Sequence, residues 1–152
     1  MFSRLKHADP LTNLNVDCLD DLWKVVEGVS HFNYLVWCAA KDRSVTLLEL
    51  EMQAEVDKFV STLLLLLEQG DLQMTSKLHT WLFEATHLKT ELAPEQRERY
   101  TAANDYAGRF CHKIREGLVD GASSVLPELR HFYRLTQAEK ISHIHSRAWA
   151  GA

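Results

Sequence analysis

Two pairs of residues in this chain have a spacing that could hold a metal ion: Glu84 and His87, and Glu128 and His131. The Glu-x-x-His spacing places a carboxylate and an imidazole on the same face of a helix. Four-helix proteins with two iron or manganese ions use two such pairs and one further glutamate from each of the other two helices. Glu55 and Glu98 could be those further ligands, so a carboxylate-bridged di-metal bundle is one alternative.

The simpler interpretation is that these are solvent-exposed side chains and that the chain binds no cofactor. Glutamate and histidine are common in this sequence, and Glu128 and His131 lie within one turn of a predicted helix start, an awkward depth for a metal inside a bundle. The sequence has no glycine-rich phosphate loop, nucleophile elbow or zinc signature. We therefore expect a protein without catalytic residues.

Acidic residues are concentrated in one half of the chain. Residues 15–72 contain eleven acids and four bases, a formal charge of 4 − 11 = −7, whereas the other 17 − 4 = 13 bases and 21 − 11 = 10 acids give +3. The acids of that half are Asp17, Asp20, Asp21, Glu27, Asp42, Glu49, Glu51, Glu55, Asp57, Glu68 and Asp71. Local charge steers association, so this half predicts a partner protein with a basic surface. The remaining bases are interleaved with acids, which argues against nucleic-acid binding.

The best candidates for contacts with that partner lie near the start of the first predicted helix: Asp20, Asp21, Trp23, Lys24 and Glu27. They combine acids with one aromatic residue, and aromatic residues often anchor protein interfaces. We expect Trp23 to be partly exposed because charged residues surround it. We expect the other aromatic residues of this helix, Phe32, Tyr34 and Trp37, to lie in the core.

Hydrophobic periodicity predicts that helices position all of these residues. A first helix should span about residues 15–40, a second 46–70 and a third 71–92. A fourth should begin at Pro94 and end near Gly117 or Gly121, and a fifth should open at Ser124. Thr46-x-x-Glu49 and Thr136-x-x-Glu139 fit capping boxes, and Gly70 fits a helix end.

Long helices with short connections predict an all-α fold, an up-down antiparallel bundle of four long helices and one or two short C-terminal helices. Its length suits a single domain over residues 1–152, with residues 1–14 and 146–152 frayed. The N-terminus lacks a secretory signal, the longest leucine run has five residues, and Cys18, Cys38 and Cys111 form no CxxC pair. These features predict a cytoplasmic protein with reduced thiols and no membrane span.

The leucine run at residues 63–67 covers every side of the second predicted helix. Leu65 and Leu66 exceed what one core face requires. Either neighbouring helices cover this helix on all sides, or Leu65 and Leu66 form the homodimer surface of a self-associating structural bundle.

Several stretches carry a likeness to a known family, the strongest being Val56-Asp57-Lys58-Phe59 with Leu63, Leu67, Gly70 and Leu72. Others keep the same order along the chain: Asp20-Asp21-Leu22-Trp23, Asn33-Tyr34-Leu35-Val36, Val125-Leu126 and Glu139-Lys140-Ile141. In this arrangement the chain resembles the Rsd/AlgQ family of helical-bundle regulators, which bind the housekeeping sigma factor. The likeness covers most of the chain except about residues 79–100.

The resemblance implies a bacterial transcription regulator that binds the promoter-recognising C-terminal region of a sigma factor and so reduces its use by RNA polymerase. That region is a basic helix-turn-helix, and an acidic helical surface would suit it as a partner. Together these observations predict a non-enzymatic, protein-binding regulator. The di-metal bundle and the self-associating bundle stay open as alternatives.

Overall fold

In a computed structural model the chain is described over residues 9–85 and 91–146. Six α-helices follow one another: α1 (Val16–Ala39), α2 (Leu47–Gln69), α3 (Leu72–His79), α4 (Pro94–Asp120), α5 (Ala122–Arg134) and α6 (Gln137–His145). A π-helical turn, Thr80–Glu84, continues α3. The described residues contain no strand, so the predicted all-α bundle is confirmed.

The first helix begins at an Asn15 cap within its predicted span, and the second begins and ends at the predicted residues, Thr46 and Gly70. Asn15 Oδ1 accepts the N–H of Cys18 at 3.2 Å, and Thr46 Oγ1 accepts the N–H of Glu49 at 3.1 Å. Gly70 ends α2 in the left-handed region, with a φ of 71°. These bonds satisfy terminal N–H groups that have no partner inside the helix, and the glycine allows the chain to turn without a Cβ clash.

The third helix differs from the prediction, because its regular part ends at His79 and not near residue 92. The backbone widens there into the π-helical turn, where the Ala85 N–H donates to the Thr80 carbonyl at 2.9 Å. Leu82 and Phe83 in this turn are both buried in the core. The described residues thus contain three long helices, α1, α2 and α4, where four were expected.

The second helix lies at the centre of the bundle, with α1 and α4 packed against it. Trp23 on α1 contacts Thr62 on α2, and Tyr34 contacts Glu49. The partner number on α2 falls as the number on α1 rises, so these two helices run antiparallel. A helix packed on several sides needs apolar residues around much of its circumference, which explains the unusual leucine content of α2.

The main core is formed by side chains of all six helices and the π-helical turn. Its largest fully buried members are Phe59, Leu63, Leu66, Leu78, Phe110, Leu118 and Phe132. Phe110 and Phe132 stack with ring centroids 3.9 Å apart, which joins α4 to α5. The three cysteines, which were predicted to be reduced, are free, and all three are buried. Every helix in the described ranges is too short or too polar to span a bilayer.

For the leucine run at residues 63–67, the structure favours the interpretation in which neighbouring helices cover the second helix. Leu66 is fully buried, and Leu65 is half-buried against the main core. Neighbouring helices therefore cover Leu66 fully and Leu65 in part, so these two side chains do not form an open apolar surface, and the homodimer stays a prediction. Leu64 is the member of the run that faces solvent.

The end of α2 also holds part of the chain that precedes α1. Leu14 is buried, and its N–H donates to Gln69 Oε1 at 2.7 Å. Gln69 Nε2 donates in turn to the Pro10 carbonyl at 2.9 Å. Within the segment that was expected to fray, Pro10 and Leu14 thus have hydrogen-bond partners on α2, whereas residues 1–8 and 147–152 lie outside the described ranges.

Two glycine substitutions should have opposite effects on stability. Gly70→Ala places a Cβ in the left-handed region and should destabilise the fold by about 1–2 kcal/mol. Gly28→Ala, inside α1 with open space around the new Cβ, should stabilise it by about 0.5–1 kcal/mol. Chemical denaturation measures both, and a stabilising Gly70→Ala would contradict the assigned helix end.

Candidate functional site

The five residues predicted to contact a partner do not share one surface. Asp20 and Lys24 are exposed on α1, as a contact residue must be. Trp23 is half-buried, as expected, but its indole N–H donates to Thr62 Oγ1 on α2 at 3.0 Å. This tryptophan therefore serves mainly to join α1 to α2.

The other two predicted contact residues interact with charged groups of the protein itself. Asp21 is buried, with its carboxylate 3.6 Å from Lys24 Nζ. Glu27 is half-buried and accepts a hydrogen bond from Lys58 Nζ on α2 at 3.0 Å. The structure thus leaves Asp20 and Lys24 as the members of this set that a partner could reach without rearrangement.

An exposed apolar row on α1, which sequence reasoning missed, lies on the side opposite α2. Val25, Val29, Phe32 and Val36 are 38%, 53%, 68% and 52% exposed, and their spacing of four, three and four residues aligns them along one face. We call these four residues the α1 stripe. Phe32 was expected in the core, and that prediction is wrong. The spacing of these four residues is visible in the sequence, but a buried face of a helix has the same spacing, so the sequence does not show that this face is exposed.

The acidity of residues 15–72 is mostly inside the protein. Four of the eleven acids are exposed, namely Asp17, Asp20, Asp42 and Glu68, and the other seven are buried or half-buried. Two of the exposed acids, Asp17 and Asp20, lie in the first two turns of α1. The surface field is therefore much weaker than the formal charge of this half suggests, and it is concentrated near the start of α1.

A buried carboxylate, Glu49, collects partners from three other segments. Its oxygens accept hydrogen bonds from the Tyr34 hydroxyl at 2.5 Å, from the Arg43 guanidinium and from the Gln137 N–H at 3.1 Å. Arg43 also donates to the Leu135 carbonyl at 2.9 Å. Burial, with the adjacent Glu49 carboxylate, raises the pKa of Tyr34, so this hydroxyl stays protonated as a donor.

Next to this network lies Lys140, a lysine of α6 with no exposed surface. Its ammonium donates to Gln53 Oε1 at 2.9 Å and to the Phe132 carbonyl at 2.5 Å, and it lies 4.2 Å from the centre of the Phe132 ring. Burial lowers the pKa of Lys140 to about 7. Gln53 Nε2 in turn donates to the Asp57 carboxylate at 2.9 Å. The Gln53 amide therefore lies between this carboxylate and the Lys140 ammonium.

A second polar cluster lies between α1 and α2 and contains the residues best placed to hold a metal ion. Glu27, His31 and Glu51 each offer a ligand atom, and these atoms lie within 4.8 Å of one another. Lys58 pairs with Glu27 at 3.0 Å and with Glu55 at 2.6 Å. The facing Glu51 carboxylate raises the pKa of His31, whereas burial raises that of Glu55.

The metal ligands predicted from the two Glu-x-x-His pairs have other partners. Glu84 lies 3.9 Å from His79, and Glu128 lies 2.5 Å from His143. Among the described residues, Glu84, Glu128 and His131 do not gather into a group of metal-ligating atoms, and neither does Glu98. His87 lies outside the described ranges.

A groove of about 620 Å³ runs between the π-helical turn and α4. Two of its polar side chains are engaged within the protein: His79 Nε2 lies 2.8 Å from the Gly108 carbonyl, and Asn104 Nδ2 donates to the Phe83 carbonyl at 2.7 Å. The groove has the size of a small-molecule site, but these groups are not arranged as a nucleophile with a base.

No protein-family model matches the sequence, and no match to it was found among curated proteins or solved structures. The resemblance to the Rsd/AlgQ family therefore stays a prediction. Functional inference rests on the surfaces and clusters of this structure.

Buried Lys140 should make stability depend on pH. Because its pKa is near 7 in the folded state and 10.5 ordinarily, unfolding takes up a proton above pH 7. The free energy of unfolding should therefore rise by up to about 1.4 kcal/mol per pH unit between pH 7 and 8.5. Lys140→Met should remove this rise, and exposed Lys41→Met should keep it. Denaturant titrations at several pH values measure this dependence. If the free energy of unfolding rose with pH as steeply in Lys140→Met as in the wild type, Lys140 would not be its source.

Proposed function

We propose that this chain is a non-enzymatic regulator that acts by binding another protein through the outer face of α1. The observation that carries the proposal is the α1 stripe, an apolar row on the side of α1 turned away from α2. Isolated apolar residues on a surface are ordinary, whereas a contiguous row that no other part of the described chain covers is typical of an interaction site.

The dimensions and composition of the stripe suit a helical partner. Eleven residues separate Val25 from Val36, a length of about 17 Å along the helix axis. Phe32, the most exposed member, supplies an aromatic anchor near the middle of the row. Amphipathic helices bind to such faces with their own apolar residues at positions i, i+3, i+4 and i+7.

Charge at one end of the stripe favours a basic partner. Asp17 and Asp20 are exposed near the start of α1, and Lys24 lies beside them. Complementary charges at the edge of an interface raise the association rate and set the orientation of the partner more than they add affinity. We therefore place the apolar contact along the stripe and the electrostatic contact near Asp20.

The most specific version of the proposal is a regulator that sequesters a sigma factor. The resemblance to the Rsd/AlgQ family supports this version, because members of that family bind the basic C-terminal region of the housekeeping sigma factor. An amphipathic basic helix of that region would find an apolar row and acids on α1. While bound, it would be unable to contact DNA or polymerase.

Substitutions in the stripe should weaken binding without unfolding the protein. Phe32→Ser and Val36→Ser remove apolar contact area at an exposed surface, and each should weaken binding to a sigma-factor C-terminal region by roughly tenfold or more. Leu72→Ser, which changes a leucine that is 75% exposed elsewhere, is the matched control. Calorimetry with the purified region measures the affinities. Wild-type affinity in both stripe variants would contradict the proposed surface.

If the wild-type chain does not bind the sigma region, the sigma version fails while the surface stays testable. Sedimentation of the wild type and Phe32→Ser at several concentrations then shows whether a second copy covers the stripe. If the wild type forms a dimer and Phe32→Ser dissociates it, the self-associating bundle becomes the supported function in place of the regulator.

Charge reversal near the start of α1 should change the kinetics of binding. Asp20→Lys should lower the association rate and flatten its dependence on salt, because Asp20 is exposed and interacts with the partner through solvent. Asp42→Lys, at an exposed acid in the loop after α1, should have a smaller effect. Stopped-flow association at several ionic strengths measures both. Equal effects of the two changes would show that net charge and not position matters.

A further inference from the structure

We propose that Glu27, His31 and Glu51 form a binding site for a divalent transition-metal ion such as Zn²⁺, at the edge of the contact between α1 and α2. The site does not depend on the proposed protein-binding function. It lies on the flank of α1 that faces α2, away from the α1 stripe.

Helical spacing and the antiparallel packing of two helices bring the three ligands together. Glu27 and His31 are four residues apart and share one face of α1. Glu51 reaches them from α2, and the three ligand atoms lie within 4.8 Å of one another. Tetrahedral zinc with bonds of about 2.1 Å requires separations of about 3.4 Å, which small rotations of the long glutamate side chains can provide.

Glu51 and His31 face each other in the cluster without forming a hydrogen bond. The Glu51 side chain is only 9% exposed and lies 3.7 Å from His31 Nε2, beyond hydrogen-bond distance. His31 Nε2 is itself buried and has no hydrogen-bond partner. A protonated histidine and a carboxylate usually close to about 2.7–2.9 Å. The gap leaves the buried His31 nitrogen without a hydrogen bond, and an ion bound between it and the Glu51 carboxylate would satisfy it.

The charges around this point favour a divalent cation. Three carboxylates, Glu27, Glu51 and Glu55, and one ammonium, Lys58, give a formal charge of 1 − 3 = −2 when His31 is counted in the neutral form that metal binding requires. Burial lowers the pKa of Lys58, but Glu55 and Glu27 outweigh it and raise that pKa above its usual value, so the ammonium stays charged. One divalent ion would neutralise the remainder.

Lys58 is compatible with a bound ion because each carboxylate has two oxygens. Glu27 can keep its bond to Lys58 through Oε2 and offer Oε1 to the ion, while Glu55 continues to hold the ammonium. Lys58 then orients Glu27 in the way that outer partners orient metal ligands. Glu27 is 36% exposed, which provides an entrance from solvent.

The ligand set selects the class of ion. One imidazole with two carboxylates suits Zn²⁺ and its first-row neighbours, whereas Mg²⁺ and Ca²⁺ prefer oxygen ligands alone. Three protein ligands leave at least one position of a four-coordinate ion open to water. The site differs from the di-metal set predicted from Glu84, His87, Glu128 and His131, with which it shares no residue.

Calorimetric titration of untagged, chelator-treated full-length protein with Zn²⁺ tests the proposal. The wild type should bind one ion per chain and gain thermal stability, because an ion that binds the folded state stabilises it. His31→Gln and Glu51→Gln should each weaken binding by at least about tenfold and reduce the thermal gain. Mg²⁺ at the same concentration should not bind to the wild type measurably.

The matched control is His131→Gln, which removes the histidine of the Glu-x-x-His pair on α5. It should bind Zn²⁺ like the wild type, as should Phe32→Ser in the α1 stripe. Circular dichroism confirms that each variant is folded, and Co²⁺ substitution gives an independent readout, since the proposed ligands include no thiolate. The proposal is overturned by absent wild-type binding, by unchanged affinity in folded His31→Gln and Glu51→Gln, by loss of binding in His131→Gln, or by a cobalt–thiolate charge-transfer band.

Discussion

The buried carboxylate of Glu49 is the interaction on which the arrangement of α1, α2 and α6 depends. It accepts hydrogen bonds from Tyr34 on α1, from Arg43 in the following loop and from the Gln137 N–H at the start of α6. A buried charge is tolerated only when such partners replace its hydration. Because the partners come from three segments, none of these segments can shift without leaving a charge or an N–H group unsatisfied. Lys140 is then held in the core, one turn into α6.

The first helix has several polar groups toward α2, among them Glu27 and Ser30, and a row of apolar groups toward solvent. Ser30 donates to Asp57 at 2.5 Å, and Glu27 receives Lys58 at 3.0 Å, so much of its contact with α2 is polar. Phe32 and its neighbours in the α1 stripe remain outside that contact. Because this apolar row faces solvent, α1 gains less free energy from burial in the isolated chain than it would gain if the row were covered. Binding of a partner to the stripe would recover that contribution.

Helix ends were predictable where the signal is local. Thr46, Gly70, Pro94 and Thr136 mark helix ends as predicted, because caps depend on residues within one turn. The limit of such signals is visible in the two Thr-x-x-Glu motifs. Glu139 returns to the Thr136 N–H at 2.8 Å and completes the box, whereas Glu49 turns toward Tyr34 and Arg43. The motifs are identical, and only the neighbours supplied by the fold distinguish them.

By itself, the sequence determined the helical fold, most helix boundaries, the buried free thiols and the spacing of residues along each helix. These follow from interactions between residues three or four apart. Tertiary structure decided which of the two apolar faces of α1 is covered, that Leu66 is inside, and that most acids of residues 15–72 are not on the surface. It also decided that Glu51 meets His31, twenty residues earlier in the chain. Helical periodicity defines the faces of a helix, but the rotation of each helix about its axis is set only when the helices pack together.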